Sequence, residues 1–592
     1  MSLDAYDLYA KLWVMIVKNG QKETFEKNLK ACQTDYEIIT FCRRELEKSG
    51  LLKDLMPHVD DCKDETLAIA HRKEGNQYFH PRIKRYTDAC EFYNQSIAVS
   101  PVGSESMGIA YANRSAVCFE LREYEDCLLN IRLAMENNYP KHLIPKLEKR
   151  MAECLKLASK TPNVKKANDR QQPKLSYKSN PKIPHISSCL ELKEDPQFGR
   201  YLVTNRDVKA GDILIMEEPF SSILLTDLKY STCDFCHEDL FLRLIPCEGC
   251  TVTMFCSNAC KDKAYQAYHR IECPIVKEAR TLVTKVIFMA FRTTTTAIST
   301  FDNNFDELKS HVQNIDETTL NPFQFDWNTI TARERYSTIH ALATNKNLRT
   351  PSDLLQRSIY AIVLSDALFN KTWLKDICDG TESHRDFVRV LIFHHSQTSP
   401  VNMHSTMYIN YRPNTADVHA HDNLGCGAFP ILSMINHSCS PNMVRITLPD
   451  GRNMAFLNRP LKKGDQIFDN YGFHHCLDTF KERQSGLEQQ YCFKCQCEAC
   501  EKDYPLFNEL PQLIILKLSD QPISPRELDL LSRHDLETAR EKVPTYCRFL
   551  NNYDDQYPQF LISSVQEALL RCFHIIFAKQ SHKLKYKDLC EF

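Results

Sequence analysis

Residues 436–442 concentrate residue types that bind ligands and metals. They read Asn-His-Ser-Cys-Ser-Pro-Asn and follow the apolar residues 432–435. An asparagine side chain both donates and accepts hydrogen bonds, and a histidine ring nitrogen can do either. The apolar lead predicts that Asn436 and His437 stand at the end of a buried segment, where they can hold a polar ligand. A candidate functional site therefore lies here.

The cysteines are the second chemical signal, since the chain has 26 of them. Eight soft ligands lie close together in sequence, the number that two closed tetrahedral Zn²⁺ sites need. A disulfide cluster is the alternative, and it is disfavoured if the thiols stay reduced inside the cell. His237 is adjacent to this set but outside its spacing, so we expect it on the surface. The eight ligands are Cys233, Cys236, Cys247, Cys250, Cys256, Cys260, His269 and Cys273.

Length and composition describe a soluble chain of several domains. Its 592 residues exceed what a single hydrophobic core organises, and a net charge of −2 gives no global attraction to nucleic acid or anionic membranes. The N-terminus carries acids where a signal peptide carries cations, and no apolar run approaches the roughly 18 residues that span a bilayer. We expect a cytoplasmic and nuclear protein without a membrane partner.

Helical patterns must supply the first part of the scaffold. Residues 1–65 have helical apolar spacing without chemistry, which predicts a packing surface. Residues 66–158 contain two copies of a tyrosine, alanine and proline pattern that resembles tetratricopeptide repeats, a protein-interaction groove. A generic helical hairpin is the alternative. Residues 159–185 read as a basic linker, either a solvated tether or a localisation or nucleic-acid contact.

Strand and turn signals surround the candidate site. Residues 186–232 contain the Gly199–Arg200 turn and a strand from residue 213, and residues 401–485 contain two further strands around a Pro-Asp-Gly turn. Between them, residues 274–400 are largely helical, and the polar residues 302–320 predict a loose loop. Residues 503–592 read as helical.

The 436–442 string resembles the NHSCxPN signature of SET domains, the S-adenosylmethionine-dependent protein-lysine methyltransferases. A tyrosine within residues 468–472 and a cysteine cluster at residues 491–500 support the resemblance. The spacing of the eight zinc ligands is similar to the MYND finger. The chain is identified as a member of the SET and MYND domain-containing methyltransferase family, similar to the member with N-terminal tetratricopeptide repeats, over roughly residues 66–500.

The resemblance implies an α+β multidomain fold. Tetratricopeptide-like helices precede a β-rich SET domain into which a MYND finger, residues 233–273, and the helical segment are inserted. A cysteine-rich post-SET segment, residues 486–502, and C-terminal helices follow. A loop-threaded pseudoknot is expected near residues 443–468. The helical tail looks shorter than is usual in the family, so substrate choice is expected to depend more on the repeats.

The resemblance also assigns the zinc ligands to three ions. In the finger the pairs interleave, and the third ion ties the signature to the post-SET segment while Cys492 remains a non-ligand. The implied sets are Cys233, Cys236, Cys256 and Cys260; Cys247, Cys250, His269 and Cys273; and Cys439, Cys495, Cys497 and Cys500.

Cofactor and catalytic roles follow from the same resemblance. Tyr471 and Tyr491 are expected to line an apolar channel that favours the neutral lysine amine. Phe493 would stack on the cofactor adenine. Gly199–Arg200 resembles the cofactor-binding turn of the family, and a plain β-hairpin turn is the alternative interpretation. The polar pair Asp469–Asn470 departs from many relatives and predicts an altered channel wall. The full cofactor set is Gly199, Arg200, Asn410, Asn436, His437, Tyr471 and Phe493.

The hypotheses about the function differ in the partner that each one requires. An active enzyme needs a protein substrate that presents a lysine, while the finger binds protein segments, often proline-rich and from co-repressors, and the repeats bind peptides. The alternative is a catalytically silent scaffold that recruits co-repressors. A zinc-finger DNA binder is disfavoured by the neutral charge, so no direct nucleic-acid binding is expected, and the protein is expected to be a monomer.

Overall fold

The computed structural model describes residues 5–51, 61–159, 172–378, 382–409, 421–512, 522–581 and 586. Helices dominate these residues, and small sheets lie between them. The predicted α+β multidomain class is confirmed. The first three helices each bury one apolar face, and Thr34 caps the third through a reciprocal bond pattern with Glu37. They are α1 (Ala5–Lys18), α2 (Lys22–Ala31) and α3 (Asp35–Lys48).

Two antiparallel helical hairpins and a closing helix follow. Small residues lie where the helices cross: a Cβ at Gly108 would stand only 2.2 Å from the carbonyl oxygen of Asn137. Pro145 lies in the first turn of the closing helix, where its missing N–H costs nothing. The helices are α4 (Glu65–Phe79), α5 (Tyr86–Val99), α6 (Glu105–Glu120), α7 (Tyr124–Glu136) and α8 (Ile144–Ala158).

Four strands open the β-rich region. The first two form an antiparallel hairpin in which Asp195 pairs with Gly199. Gly199 has φ +62°, a conformation that glycine adopts without steric cost. The strands are β1 (Leu190–Asp195), β2 (Gly199–Thr204), β3 (Ile213–Glu217) and β4 (Ser222–Leu224).

The cysteine-rich segment forms a small module with one two-stranded sheet and short helices. Ser257 caps its first helix by accepting from the Cys260 N–H. His237, expected on the surface, is instead buried, and burial lowers its pKa to about 3. The elements are β5 (Ile245–Pro246), β6 (Met254–Phe255), α9 (Asn258–Ala264) and α10 (Arg270–Glu272).

The helical insert packs against α1 and α3. The prediction of a loose loop over residues 302–320 is wrong, because α13 forms there. Asn304 caps that helix, and Phe305 and Leu308 are buried. The insert comprises α11 (Val276–Leu282), α12 (Lys285–Thr300), α13 (Phe305–Gln313), α14 (Ala332–His340), α15 (Pro351–Lys371), α16 (Leu374–Ile377) and α17 (Glu382–Asn402).

The chain then returns to the sheets. β8 lies between β4 and β7, and β11 lies between β10 and β3, so strands from before and after the insert share both three-stranded sheets. The short β9 and β12 pair in parallel. The strands are β7 (Met403–Ile409), β8 (His421–Ala428), β9 (Asn436–His437), β10 (Met443–Thr447), β11 (Asn453–Leu457) and β12 (Phe468–Asp469).

The C-terminal helices cover the sheet formed by β10, β11 and β3. Phe573 stacks on Phe456 of β11 with ring centroids 4.0 Å apart. Contrary to the sequence expectation, the last helix is long and apolar enough to cross a membrane by length and composition alone, but half of that segment is buried within the protein. The helices are α18 (Phe480–Tyr491), α19 (Glu498–Glu501), α20 (Pro525–Ser532), α21 (Leu536–Tyr553) and α22 (Phe560–Phe577).

Candidate active site and zinc centres

A buried carboxylate anchors the segment that leads into the signature. Glu217, at the end of β3, is 1% exposed. Its Oε1 accepts from the Ile431 N–H at 2.8 Å, and its Oε2 accepts from the Leu432 N–H at 2.9 Å. The first donor immediately precedes the 3₁₀ turn Leu432–Met434 and the second is its first residue, so Glu217 fixes the approach to β9. Sequence reasoning missed this role, and the only local signal was an acid at the end of an apolar strand.

Parallel pairing brings the signature to Tyr471. The Ser438 N–H donates to the Asp469 carbonyl at 2.9 Å, and the Asn470 amide donates back to the Ser438 carbonyl at 3.1 Å. The Tyr471 N–H then donates to His437 Nδ1 at 3.0 Å. The predicted meeting of these two segments thus has a hydrogen-bonded basis, and His437 is held in one orientation.

An aromatic cluster surrounds His437. The Tyr471 ring centroid lies 5.2 Å from that of His437 and 4.9 Å from that of Tyr491, and Phe493 lies 6.2 Å from His437. The Tyr491 hydroxyl donates to the Tyr471 carbonyl at 3.0 Å, while the Tyr471 hydroxyl donates to the Ile435 carbonyl at 2.8 Å. Four predicted site residues therefore share one pocket wall.

The wall is uncharged at neutral pH. Burial lowers the pKa of His437 to about 4, so its ring is neutral and Nδ1 can accept the bond from Tyr471. Burial also raises the pKa of Tyr491 to about 12 and that of Tyr471 further still. Both phenols keep their protons, and neither can act as a counter-ion for an ammonium group.

The predicted cofactor turn joins this wall from β2. The Asn436 amide donates to the Phe198 carbonyl at 3.0 Å, which places Gly199 beside the signature. The Arg200 guanidinium points to the insert instead, donating to the carbonyls of Leu320 at 2.6 Å and Ala341 at 3.0 Å. Arg200 thus connects the turn to the helical insert and does not point towards the signature. Asn410 lies outside the described residues.

The polar pair expected to alter the channel wall has defined partners. Asp469 is buried and pairs with Arg445 at 2.5 Å. Asn470 uses its amide to hold the signature loop and the carbonyl of Phe473. Arg445 is a second residue that sequence reasoning missed, because its partner lies on a different strand.

The finger brings its ligands together in two groups of four. The first is Cys233, Cys236, Cys256 and Cys260, and the second is Cys247, Cys250, His269 and Cys273. Neighbouring sulfur atoms lie 3.5–3.6 Å apart. Zn–S bonds of about 2.3 Å at tetrahedral angles would set them about 3.8 Å apart. No described cysteine forms a disulfide, so the donor sets fit Zn²⁺ and not a disulfide cluster.

A third group joins the signature to the post-SET segment. Cys439, Cys495, Cys497 and Cys500 approach one another, with the Cys439 and Cys500 sulfurs 3.5 Å apart. Cys492 is not part of this group. It ends α18 with φ +63° and turns the chain so that Phe493 reaches the pocket wall. Four thiolate donors again suit a closed Zn²⁺ site.

The groove of the helical hairpins is filled by the finger's own backbone. The buried side chains Asn94, Arg114 and Asn130 donate to main-chain carbonyls of residues 241–244 at 2.7–2.8 Å. Cys90 and Cys118 also approach this segment with their sulfur atoms. The hairpins therefore position the finger, and a peptide partner would have to displace residues 241–244.

Comparison with known proteins agrees with this architecture. The family model described as SET domain matches residues 199–472. Protein-lysine N-methyltransferase SMYD4 of Homo sapiens is 24% identical over 551 residues, which cover 74% of this chain and 68% of that protein. The chain is thus similar to SET and MYND domain-containing protein-lysine methyltransferases over most of its length. Histone-lysine N-methyltransferase ASHR1 of Arabidopsis thaliana is 26% identical over 317 residues, covering 53% of this chain and 55% of that protein.

A further relative is matched over nearly its whole length. A SET and MYND domain-containing protein of Dictyostelium discoideum is 22% identical over 392 residues, which cover 63% of this chain and 97% of that protein. In this chain the aromatic side chains around His437 are positioned by the β9–β12 pairing, the cysteines of residues 495–500 and the β1–β2 turn.

Replacing Glu217 with glutamine is expected to lower stability by about 1–3 kcal/mol, because the new NH₂ group would face a backbone N–H donor in a buried place. Cofactor affinity should fall with it, since β9 loses its anchor. Thermal unfolding and cofactor titration measure both effects. The neighbouring Glu218 is exposed, so Glu218→Gln is the matched control. Equal unfolding midpoints for the two variants would refute the anchor.

Proposed function

We propose that the chain transfers a methyl group from S-adenosylmethionine to the side-chain amine of a lysine in another protein. The observation that supports this most directly is the shared wall of His437, Tyr471, Tyr491 and Phe493 beside the Gly199 turn. Asn436 and Phe493 both keep part of their surface accessible, so they suit an amino-acid group and a stacked adenine respectively.

The residues of the wall fit this chemistry in three ways. Tyr471 and Tyr491 offer aromatic faces without charge, which penalises an ammonium group and favours the neutral amine that can attack. The bonds from Tyr471 to His437 and Ile435 fix the ring before substrate arrives, so little reorganisation is needed. Phe493 of the post-SET segment lies beside His437. When bound, S-adenosylmethionine supplies the electrophilic methyl group.

The silent-scaffold alternative receives less support. It needs a free peptide groove, whereas Asn94, Arg114 and Asn130 hold residues 241–244 of the same chain. We keep as proposals that the finger binds proline-rich or co-repressor segments in transcriptional regulation, and that the protein acts as a monomer in the cytoplasm and nucleus. Histone and non-histone proteins are both candidate substrates.

Tyr471→Phe is expected to lower methyl transfer by about 100-fold or more, because the hydroxyl that orients the reacting groups is lost while the ring remains. The measurement is transfer of labelled methyl from S-adenosylmethionine into proteins of a cell extract. Tyr265 is exposed, so Tyr265→Phe is the matched control and should keep full transfer.

The outcomes separate the readings of the function. Label that falls only in Tyr471→Phe supports the proposal. A native chain that binds cofactor but transfers no label would favour the scaffold. A native chain that does not bind the cofactor would refute the methyltransferase proposal.

A further inference from the structure

The helical insert contains a cluster of metal-type ligands that no part of the proposed reaction uses. Glu317, His340 and His394 bring one carboxylate oxygen and two ring nitrogens within 4.8 Å of one another. Glu317 Oε1 lies 3.5 Å from His340 Nε2 and 3.9 Å from His394 Nδ1. Both histidines are buried, and the Glu317 side chain is 47% exposed, so the cluster opens to solvent on the carboxylate side.

A hydrogen bond to a carbonyl fixes the proton position of His394. His394 Nε2 lies 2.9 Å from the His340 carbonyl oxygen. A carbonyl only accepts, so Nε2 carries the proton, and in the neutral ring Nδ1 presents a lone pair towards Glu317. His340 Nδ1 lies 3.4 Å from the hydroxyl of Tyr336, which leaves its Nε2 on the carboxylate side.

The arrangement resembles a ligand set more than a packed core. The two rings stack with centroids 4.0 Å apart and an interplanar angle of 13°, and both direct a nitrogen towards the same carboxylate. The lone pair of His394 Nδ1 and the Glu317 carboxylate oxygen 3.9 Å away repel one another unless a cation lies between them. Each histidine also has its other nitrogen held, by a carbonyl or by Tyr336, as metal-binding histidines usually do.

We propose that Glu317, His340 and His394 bind a divalent transition-metal ion, separate from the three cysteine-rich centres. Two imidazoles and one carboxylate suit Zn²⁺ and other first-row divalent ions, with the remaining positions open to water. The exposed side of Glu317 gives the ion a route from solvent. This proposal does not depend on methyl transfer.

The site has a direct link to the cofactor turn. Arg200 donates to the carbonyls of Ala341 and Leu320, and these residues lie one position after His340 and three after Glu317. An ion that joins His340 to Glu317 therefore ties together the two backbone segments that hold Arg200. Occupancy is expected to fix the insert against β2.

Metal analysis of the purified full-length protein tests the site. Zinc-supplemented wild-type protein is expected to hold four equivalents, and Glu317→Gln and His394→Gln three each. After treatment with a chelator that leaves the cysteine centres loaded, added Zn²⁺ should bind to one site, about 100-fold or more weaker in either variant. His384→Gln alters another buried histidine of the insert, which contacts Asp306, and should behave as wild type.

Three results would overturn the proposal. The first is wild-type protein that holds three zinc equivalents and takes up no more. The second is an unchanged Zn²⁺ affinity in both variants. The third is a loss of zinc from the three cysteine-rich centres in the variants. Because Glu317 is half exposed, Glu317→Gln should unfold at the wild-type temperature when chelator is present. Hydrogen exchange adds an independent readout: Zn²⁺ should slow exchange in residues 317–320, 341–345 and the Arg200 turn of wild-type protein only. Binding without slower exchange at that turn would refute the link.

Discussion

Cys439→Ser is expected to remove one zinc equivalent and to reduce both cofactor binding and methyl transfer by about 100-fold or more, because a structural zinc site contributes its binding free energy to folding. Cys439 is the only ligand of the third centre that comes from the signature, and the other three come from residues 495–500. Its loss frees the post-SET segment. Phe493 then leaves the pocket wall, since it lies two positions before Cys495.

Zinc content, cofactor titration and labelled methyl transfer check this prediction together. Cys492→Ser is the matched control, because Cys492 lies between Tyr491 and Phe493 but outside the ligand group. It should keep three cysteine-centre equivalents and most of the activity. Full cofactor affinity in Cys439→Ser would show that the post-SET segment does not shape the pocket.

Arg292→Met is expected to lower the free energy of unfolding by about 3–5 kcal/mol, because it strips the partner from a buried carboxylate. Arg292 is 0% exposed, and its Nε donates to Glu272 at 2.7 Å. Its guanidinium also lies 3.5 Å from Asp234 and 3.5 Å from the Tyr268 ring centroid. Burial opposes ionisation of Asp234, but Arg280 and Arg292 outweigh it and lower its pKa to about 2.

This ion network joins the finger to the catalytic domain. Asp234 and Glu272 belong to the finger, Arg292 belongs to α12, and Arg292 also donates to the Ser222 carbonyl on β4. Removal of the arginine should therefore loosen the finger and speed the release of its zinc to a chelator. Equilibrium unfolding and the rate of chelator-induced zinc release measure the two effects.

Two further variants sharpen the test. Arg333 makes exposed ion pairs with Asp302 and Glu307, and such pairs are worth about 0–1 kcal/mol, so Arg333→Met should change stability little. Adding Glu272→Gln to Arg292→Met should restore part of the loss, because the unpaired charge is removed. If Arg292→Met alone is as stable as the wild-type protein, the network does not hold the finger.

Local sequence was sufficient where the chemistry lies within short spacings. The eight ligands of the finger follow from pairs of ligand residues a few positions apart, since each tetrahedral ion needs four soft donors. Their division into two interleaved groups was implied by the resemblance to the MYND finger. The capped helices and the hairpin turn at Gly199 are equally local. Residues 302–320 were mistaken for a loop because their polarity hid two buried anchors, Phe305 and Leu308.

Contacts between distant segments needed the tertiary structure. Glu217 reaches the signature across more than 200 residues, and Arg200 turns away from the cofactor side to hold the insert. Side chains of the helical hairpins hold residues 241–244 of the finger, which no local pattern could reveal.

The sequence by itself indicated the resemblance to SET and MYND domain-containing proteins, the fold class and the candidate residues of the site, because motifs depend on residue types at short, regular spacings. The tertiary structure decided which side chains meet, as it did for Glu317, His340 and His394. Such residues lie on separate elements and carry no common periodicity. Only the packing of the insert brings their donor atoms to one point.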